Sequence, residues 1–175
     1  MPCPNNVKWE VLLRYGRPAA TWVETGTYMG ETTAVLAGSA RHVYSIEPSP
    51  ELAAQARNRF AAAQNVTILE GTSETEMTPL LESLSGDVSF WLDGHYSAGV
   101  TFRGPSDTPI VAELSAIGEH LSHLDAVTVL VDDVRCFDPR LPEFSEYPPR
   151  SWLVDWATDR QMTWTIEHDI FAAWN

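Results

Sequence analysis

Acidic residues and glycines recur at the points where apolar segments of this chain end. Glu24 follows a short apolar run, and Gly26 and Gly30 come shortly after it. Glu47 follows the next apolar segment, 21 positions after Gly26. In α/β proteins a strand, a glycine turn and a helix start, with an acidic residue after the next strand, hold a nucleoside at the carboxyl edge of the sheet. The pattern predicts a nucleoside-binding turn within residues 22–33.

The residues of this turn argue against a phosphate-bearing ligand. Tyr28 and Glu31 stand where the dinucleotide fingerprint G-x-G-x-x-G has its second and third glycines. A carboxylate at a helix N-terminus also disfavours an anion there. Glu24 instead suits a ligand with an ammonium or sulfonium group, with an ordinary turn and a solvated glutamate as the alternative. Glu47 is predicted to bind ribose hydroxyls, the alternative being a chance glutamate at a strand end.

Three aspartates follow two further apolar segments. Asp93 comes after residues 87–92, and Asp132 and Asp133 come after residues 126–131. If these segments are neighbouring strands, their ends lie about 5 Å apart, and three carboxylates there repel one another unless a cation is present. Hard oxygen ligands suit Mg²⁺, Mn²⁺ or Ca²⁺. We predict a metal site, with a loop-capping role for one aspartate of the pair as the alternative.

His95 lies two positions after Asp93 and has two readings. As a general base it can take a proton near neutral pH. As a fourth metal ligand it would shift the metal preference towards Mn²⁺, Fe²⁺ or Zn²⁺.

Strands must bring these residues to one edge. Apolar runs and turn residues predict strands over residues 21–23, 42–46, 65–69, 87–92, 126–131, 162–167 and 170–174, with helices between most of them. Pro79 inside a helix would cost about 3 kcal/mol, so we predict a helix capped by Thr78 and a free loop over residues 71–77. In that loop Thr72 or Ser73 contacts an adenine, or the segment is a plain polar turn.

Composition limits the function classes. The chain has 175 residues, 44% of them hydrophobic, which predicts a single globular domain over residues 1–175. We expect neither a membrane span nor a secretion signal, and hence the cytoplasm. The two cysteines give neither a disulfide framework nor a zinc site. The net charge of −13 disfavours nucleic acid and favours a small-molecule substrate.

With these parts in place, the chain resembles the class I S-adenosylmethionine-dependent methyltransferases along nearly its whole length. The segment ETGTYMG is similar to their E/D-x-G-x-G-x-G loop, with Tyr28 in place of the middle glycine. The resemblance implies a Rossmann-like α/β fold with a seven-stranded, mostly parallel sheet, helices on both faces and a C-terminal antiparallel strand pair. The implied cofactor-binding residues are Glu24, Gly26, Thr27, Tyr28, Gly30, Glu47, Pro48, Thr72, Ser73 and Asp93.

The aspartates are similar to the metal triad of small-molecule O-methyltransferases related to macrocin and catechol methyltransferases. This implies methyl transfer from S-adenosylmethionine to a hydroxyl group held by Mg²⁺ or Mn²⁺, with Asp93 and His95 as catalytic residues. Compared with the family that the chain resembles, the long N-terminal extension that covers the substrate in many relatives is missing, which leaves the substrate class and a homo-oligomer open. A non-catalytic S-adenosylmethionine or nucleoside binder stays open, as does a nicotinamide-dependent oxidoreductase, which Tyr28 and Glu31 disfavour.

Overall fold

One mixed sheet forms the centre of the part of the chain that the computed structural model describes, residues 3–94 and 108–175. The strands are β1 (Thr21–Thr25), β2 (His42–Glu47), β3 (Val66–Glu70), β4 (Val88–Leu92), β5 (Val127–Val131), β6 (Thr163–Glu167) and β7 (Ile170–Trp174). The helices are α1 (Asn5–Tyr15), α2 (Glu31–Ala37), α3 (Pro50–Arg59), α4 (Ser73–Ser83), α5 (Ile110–His120) and α6 (Arg150–Asp159). Short 3₁₀ turns cover Leu121–His123, Val134–Phe137 and Pro142–Phe144.

The sheet has the order β3-β2-β1-β4-β5-β7-β6. Strands β1 to β5 pair in parallel, whereas β7 runs antiparallel to both β5 and β6. The carboxyl ends of the five parallel strands therefore lie along one edge. The predicted fold class, including the closing antiparallel pair, is confirmed.

Both faces of the sheet are covered by helices. Val11 and Leu12 of α1 pack with Trp22, Trp91 and residues of β7 on the face that also carries α2. The opposite face packs against α4, α5 and α6 in a larger core that includes Phe90, Leu114 and other apolar side chains. The central strands β1, β4 and β5 are buried along their whole length. This burial on both faces explains their nearly continuous apolar sequence.

Helix α4 begins six residues earlier than predicted, with Thr72 as its cap in place of Thr78. It runs from Ser73, so the predicted free loop over residues 71–77 is wrong and Pro79 lies inside the helix. The early start places Met77, Leu80 and Leu81 on one buried face. Burying one such side chain contributes about 1.5–3 kcal/mol, so the three together outweigh a proline cost of about 3 kcal/mol.

Within the described residues, the longest helices have 11 residues, and none is long and apolar enough to cross a membrane.

Replacing Pro79 by Ala should stabilise the protein, because it restores a helix N–H group and removes a steric conflict in α4. Alanine gives the unfolded chain more conformational freedom than proline does, which offsets part of this gain. We therefore expect a net gain of about 2 kcal/mol in the free energy of unfolding. Urea denaturation followed by circular dichroism measures it, with Thr78→Ala at the neighbouring exposed position as control. A loss of stability in Pro79→Ala would contradict this account of α4.

Candidate active site

The turn between β1 and α2 lies across the ends of two neighbouring strands. Gly26 has a φ of 86° and Gly30 a φ of 73°, both in the region that favours glycine. The Gly26 N–H donates to the Ile46 carbonyl oxygen at 3.0 Å, which joins the turn to β2. A Cβ atom on Gly26 would lie 2.7 Å from the carbonyl oxygen of Asp93, which follows β4. Position 26 therefore requires glycine both for its conformation and for this contact.

Hydrogen bonds of the buried Thr27 fix the middle of the turn. Thr27 is buried, and its Oγ1 lies 2.6 Å from the Ser45 Oγ on β2. The Gly30 N–H donates to the Thr27 carbonyl oxygen at 2.8 Å. Tyr28 has a positive φ of 48°, and its side chain is exposed. The tyrosine that replaces the expected middle glycine thus points away from the core.

Glu47 is buried at the end of β2, beside the glycine turn. Its Oε2 accepts a hydrogen bond from the Tyr28 N–H at 2.8 Å, and its Oε1 accepts one from the Ser49 N–H at 2.9 Å. Pro48, between Glu47 and Ser49, is half-buried. Because each carboxylate oxygen has two lone pairs, both oxygens can accept a further hydrogen bond. The arrangement is suited to a pair of ribose hydroxyls.

Glu24 is buried within β1 rather than solvated at the turn. Its Oε2 accepts hydrogen bonds from the Thr33 and Ser45 hydroxyls, each at 2.6 Å. Burial raises the pKa of Glu24 to about 7, although these two hydrogen bonds act to lower it. The carboxyl therefore connects β1, β2 and α2. Its contact with an ammonium or sulfonium group stays a prediction.

A second buried glutamate, Glu113 on α5, stands opposite the start of α4. Burial raises the pKa of Glu113 to about 7, and the hydroxyls of Ser73 and Thr25 partly counteract the rise. Ser73 is the buried first residue of α4, and its contact with an adenine stays a prediction. Thr72 precedes the helix and is half-buried.

Asp132, one of the predicted metal ligands, forms an ion pair with Lys8 of α1. The Lys8 ammonium contacts the Asp132 Oδ2, and the aspartate side chain is fully shielded from solvent. Burial, together with the neighbouring Asp93 and Asp133 carboxylates, raises the pKa of Asp132 to about 7, against the effect of Lys8. Burial would lower the pKa of Lys8, but Asp93 and Asp132 raise it above its ordinary value.

Asp133, the next predicted metal ligand, forms its closer ion pair with Arg135 rather than with Lys8. Its φ of 55° is left-handed, so the chain bends at this residue. The Arg135 guanidinium contacts both Asp133 and Asp169, and the Asp133 Oδ1 lies 4.0 Å from the Lys8 Nζ. Two basic side chains of the protein thus supply cations to the aspartate pair.

These contacts bear on the predicted metal site. Within residues 3–94 and 108–175, no group of three or more His, Cys, Asp or Glu side chains is arranged to hold a metal ion. The described residues do not fit the proposed ligand set, because Lys8 and Arg135 contact carboxylate oxygens that the metal would need. Asp93 is half-buried at the carboxyl edge. His95, predicted as base or fourth ligand, lies outside the described residues.

Lys8 and Glu113 are site residues that the sequence patterns missed. Glu113 stands beside Leu114 on the buried side of α5, which also carries Ile110 and Ile117. A glutamate within an apolar helix stripe is a signal that could have identified it. Lys8 carries no such signal, since it lies 124 positions from Asp132.

Replacing Glu24 by Gln should change how stability depends on pH. Unfolded and folded chains both hold the Glu24 proton below about pH 4.5, whereas above about pH 7 both have lost it and the folded state has the buried charge. The stability supplied by the raised pKa is therefore lost as the pH rises through 7. The shift from 4.5 to about 7 corresponds to about 3 kcal/mol.

We expect the free energy of unfolding of Glu24→Gln, relative to wild type, to rise by up to about 3 kcal/mol between about pH 4.5 and about pH 8. Urea titrations across this range give the value. The exposed Glu82→Gln serves as control and should run parallel to wild type. Parallel curves for Glu24→Gln would refute a raised pKa at this position.

Replacing Lys8 by Met should leave Asp132 buried without its cation. Removing one partner of a buried ion pair costs about 3 kcal/mol or more, and we expect a loss of about this size at about pH 8. The loss should shrink at about pH 5.5, because Asp132 can then take up a proton. Thermal and urea denaturation at both pH values test this, with the exposed Arg57→Met as control. A loss that does not depend on pH would contradict the pairing.

Comparisons with known proteins address the fold and one short segment of sequence. No family model matches the chain. Protein-L-isoaspartate O-methyltransferase 1 from a Polaromonas species is 56% identical over 45 residues, which are 26% of this chain and 19% of that protein. The match therefore spans about a fifth of that relative's length.

Solved methyltransferase structures are similar to nearly the whole chain. The 23S rRNA methyltransferase ErmE has a TM-score of 0.60 at 15% identity, covering 99% of this chain and 68% of its own. The N-methyltransferase NodS from Bradyrhizobium japonicum WM9 has a TM-score of 0.62 at 13% identity, covering 97% and 93%. NodS in complex with S-adenosylhomocysteine gives 0.61 at 13% identity, covering 97% and 85%. With its strand order and closing antiparallel pair, the chain has the fold of the class I S-adenosylmethionine-dependent methyltransferases.

Proposed function

We propose that the chain transfers a methyl group from S-adenosylmethionine to a small-molecule acceptor. The observation that carries the proposal is Glu47, whose buried carboxylate is oriented by the N–H groups of Tyr28 and Ser49 at the end of β2. This is the position where nucleoside sites of α/β proteins bind ribose hydroxyls. The similarity to methyltransferases, including NodS bound to S-adenosylhomocysteine, supports the same ligand.

The glycine turn supports a methyl donor rather than a dinucleotide. Gly26 lets the turn pass closely between the end of β2 and the residue that follows β4, while Glu31 in the first turn of α2 disfavours a pyrophosphate there. The sulfonium of S-adenosylmethionine supplies a methyl group that is already activated. The protein then contributes mainly by positioning the acceptor and excluding water. A nicotinamide-dependent oxidoreductase is correspondingly disfavoured.

The ion pairs of Asp132 and Asp133 bear on both the metal and the methyl acceptor. The contacts of Lys8 with Asp132 and of Arg135 with Asp133 do not support the Mg²⁺ or Mn²⁺ assistance that the resemblance implied. Without such a metal, the case for a hydroxyl acceptor loses its main argument. The net charge of −13 favours a small molecule over nucleic acid, which stays a prediction.

Calorimetric titration of the purified chain with S-adenosylmethionine, S-adenosylhomocysteine and NAD tests the proposed function. The wild type should bind the first two and not NAD. Glu47→Ala should weaken S-adenosylhomocysteine binding by about 1–3 kcal/mol, because the ribose hydroxyls lose their acceptor. Glu70→Ala is a matched control, since Glu70 ends the neighbouring strand β3 but is exposed and pairs with Arg57.

A folded Glu47→Ala variant that binds S-adenosylhomocysteine as tightly as wild type would refute the ribose site. A wild type that binds neither adenosyl ligand would refute the proposed function altogether.

A further inference from the structure

A small cavity lies at the carboxyl ends of β4 and β5, beside the start of α5. Its volume of about 10 Å³ is enough for one water-sized group. Gly94 and the carboxyl residues Glu113 and Asp132 contribute to its lining, together with the aromatic side chains of Phe137 and Tyr147. The cavity therefore combines an acidic interior with an aromatic wall.

Two carboxyl oxygens of this cavity have no hydrogen-bond partner in the part of the chain that the structure describes. They are the Glu113 Oε1 and the Asp132 Oδ1. Both residues are almost fully buried, with exposed fractions of 2% and 3%. The Lys8 ammonium contacts the other Asp132 oxygen, Oδ2, and leaves Oδ1 unsatisfied. Because buried polar atoms in folded proteins are normally hydrogen-bonded, these two oxygens indicate a ligand that brings its own donors.

A third unsatisfied atom lies beside Gly94, next to the cavity lining. The buried Thr25 Oγ1 is near enough to the Glu113 carboxyl to lower its pKa, but it has no hydrogen-bond partner of good geometry among the described residues. A Cβ atom on Gly94 would lie 3.1 Å from the Thr25 Oγ1 and 3.4 Å from the Glu113 Oε1. The absence of a side chain at Gly94 thus keeps open the space between these oxygens.

We propose that this cavity binds the ammonium head of a primary amine, and that the amine nitrogen is the methyl acceptor. This inference rests on the proposed function, because it assigns the substrate class of the same site. A primary ammonium is close to a water molecule in size and carries three N–H donors. Its donors match the unsatisfied oxygens of Glu113 and Asp132 in the cavity lining.

Other donor groups fit this cavity less well. A hydroxyl has one O–H donor and would leave at least one buried carboxyl oxygen unsatisfied. A guanidinium is planar and too large for a space of about 10 Å³. The electrostatic potential at the cavity also favours a cation, because the charge of Asp93 acts on both Glu113 and Asp132. The chain's excess of acidic residues would also attract a cationic substrate.

The cavity adjoins the glycine turn. A Cβ atom on Gly26 would lie 3.4 Å from the Cα of Gly94, so the backbone of the turn touches the rim of the cavity. A ligand bound over Gly26 and Glu47 would end beside Gly94. The amine nitrogen would then sit next to the methyl donor.

The transfer begins with a proton and ends with the methyl group on nitrogen. The ammonium first gives one proton to the Glu113 carboxylate, which makes the nitrogen lone pair available. The nitrogen then forms a bond to the methyl carbon as the bond from that carbon to sulfur breaks, and the positive charge passes from sulfur to the methylated nitrogen. S-Adenosylhomocysteine leaves, and Glu113 returns its proton to solvent. A carboxyl whose pKa burial has raised to about 7 is suited to this exchange near neutral pH.

The test uses calorimetry on the full chain saturated with S-adenosylhomocysteine. The probes are methylamine, n-butylamine and phenethylamine, each compared with the alcohol of the same carbon skeleton. We expect at least one amine to bind about tenfold more tightly than its alcohol, because the two carboxylates and the cation stabilise each other.

Three variants examine the cavity and one serves as control. Glu113→Gln and Asp132→Asn should each weaken amine binding about tenfold. Gly94→Ala should do so without changing any charge, because its methyl group would occupy the space between Thr25 and Glu113. Each variant should still bind S-adenosylhomocysteine, which shows that it is folded. The exposed Glu82→Gln should leave both affinities unchanged.

The outcomes separate the two proposals. If the wild type binds S-adenosylhomocysteine but no amine more tightly than its alcohol, the cavity holds a water molecule and the amine proposal is wrong. Unchanged amine binding in a folded Glu113→Gln or Gly94→Ala would also overturn it. If the wild type does not bind S-adenosylhomocysteine, the proposed function itself fails.

Discussion

The backbone of residue 26 lies against the backbone of residue 93, and the whole carboxyl edge of the sheet depends on this contact. Strand β1 is flanked by β2 and β4, and the chain leaving β1 passes between the end of β2 and the residues that follow β4. It can do so only where residue 26 has no side chain and a positive φ. As a result, Glu47 lies on one side of the turn and the Gly94 cavity on the other.

The second constraint is the energetic cost of burying carboxyl groups, which the protein offsets in different ways. Two hydroxyls hydrogen-bond to Glu24. Lys8 pairs with one oxygen of Asp132, whereas the Oε1 of Glu113 has no partner among the described residues. Such groups destabilise the folded chain, and groups with raised pKa values in a cleft are a frequent property of functional sites. Glu24, which holds the turn, has hydrogen-bond partners on its carboxyl group, whereas Glu113 and Asp132, which face the cavity, each keep one oxygen without a partner among the described residues.

The three aspartates show that the residues around a metal-ligand motif decide whether it can bind a metal. Carboxylates at neighbouring strand ends do require positive charge, and this physical expectation agrees with the contacts observed. The positive charge at Asp132 and Asp133, however, comes from the side chains of Lys8 and Arg135. A basic residue from a distant helix can occupy carboxylate oxygens that a divalent ion would otherwise use. The same three aspartates are therefore compatible with different chemistry.

The sequence by itself determined the strand segments, the glycine turn and the position of Glu47. These features follow from local patterns: apolar runs that end in carboxylates, and a turn that only glycine permits. Only the tertiary structure decided where α4 begins, because burial of Met77, Leu80 and Leu81 outweighs the local penalty of Pro79. It also decided that Glu24 is buried, and that Lys8 meets Asp132 across 124 positions of chain. Local propensity carries no information on such distant contacts, since they depend on how α1 packs on a sheet whose strands are far apart in sequence.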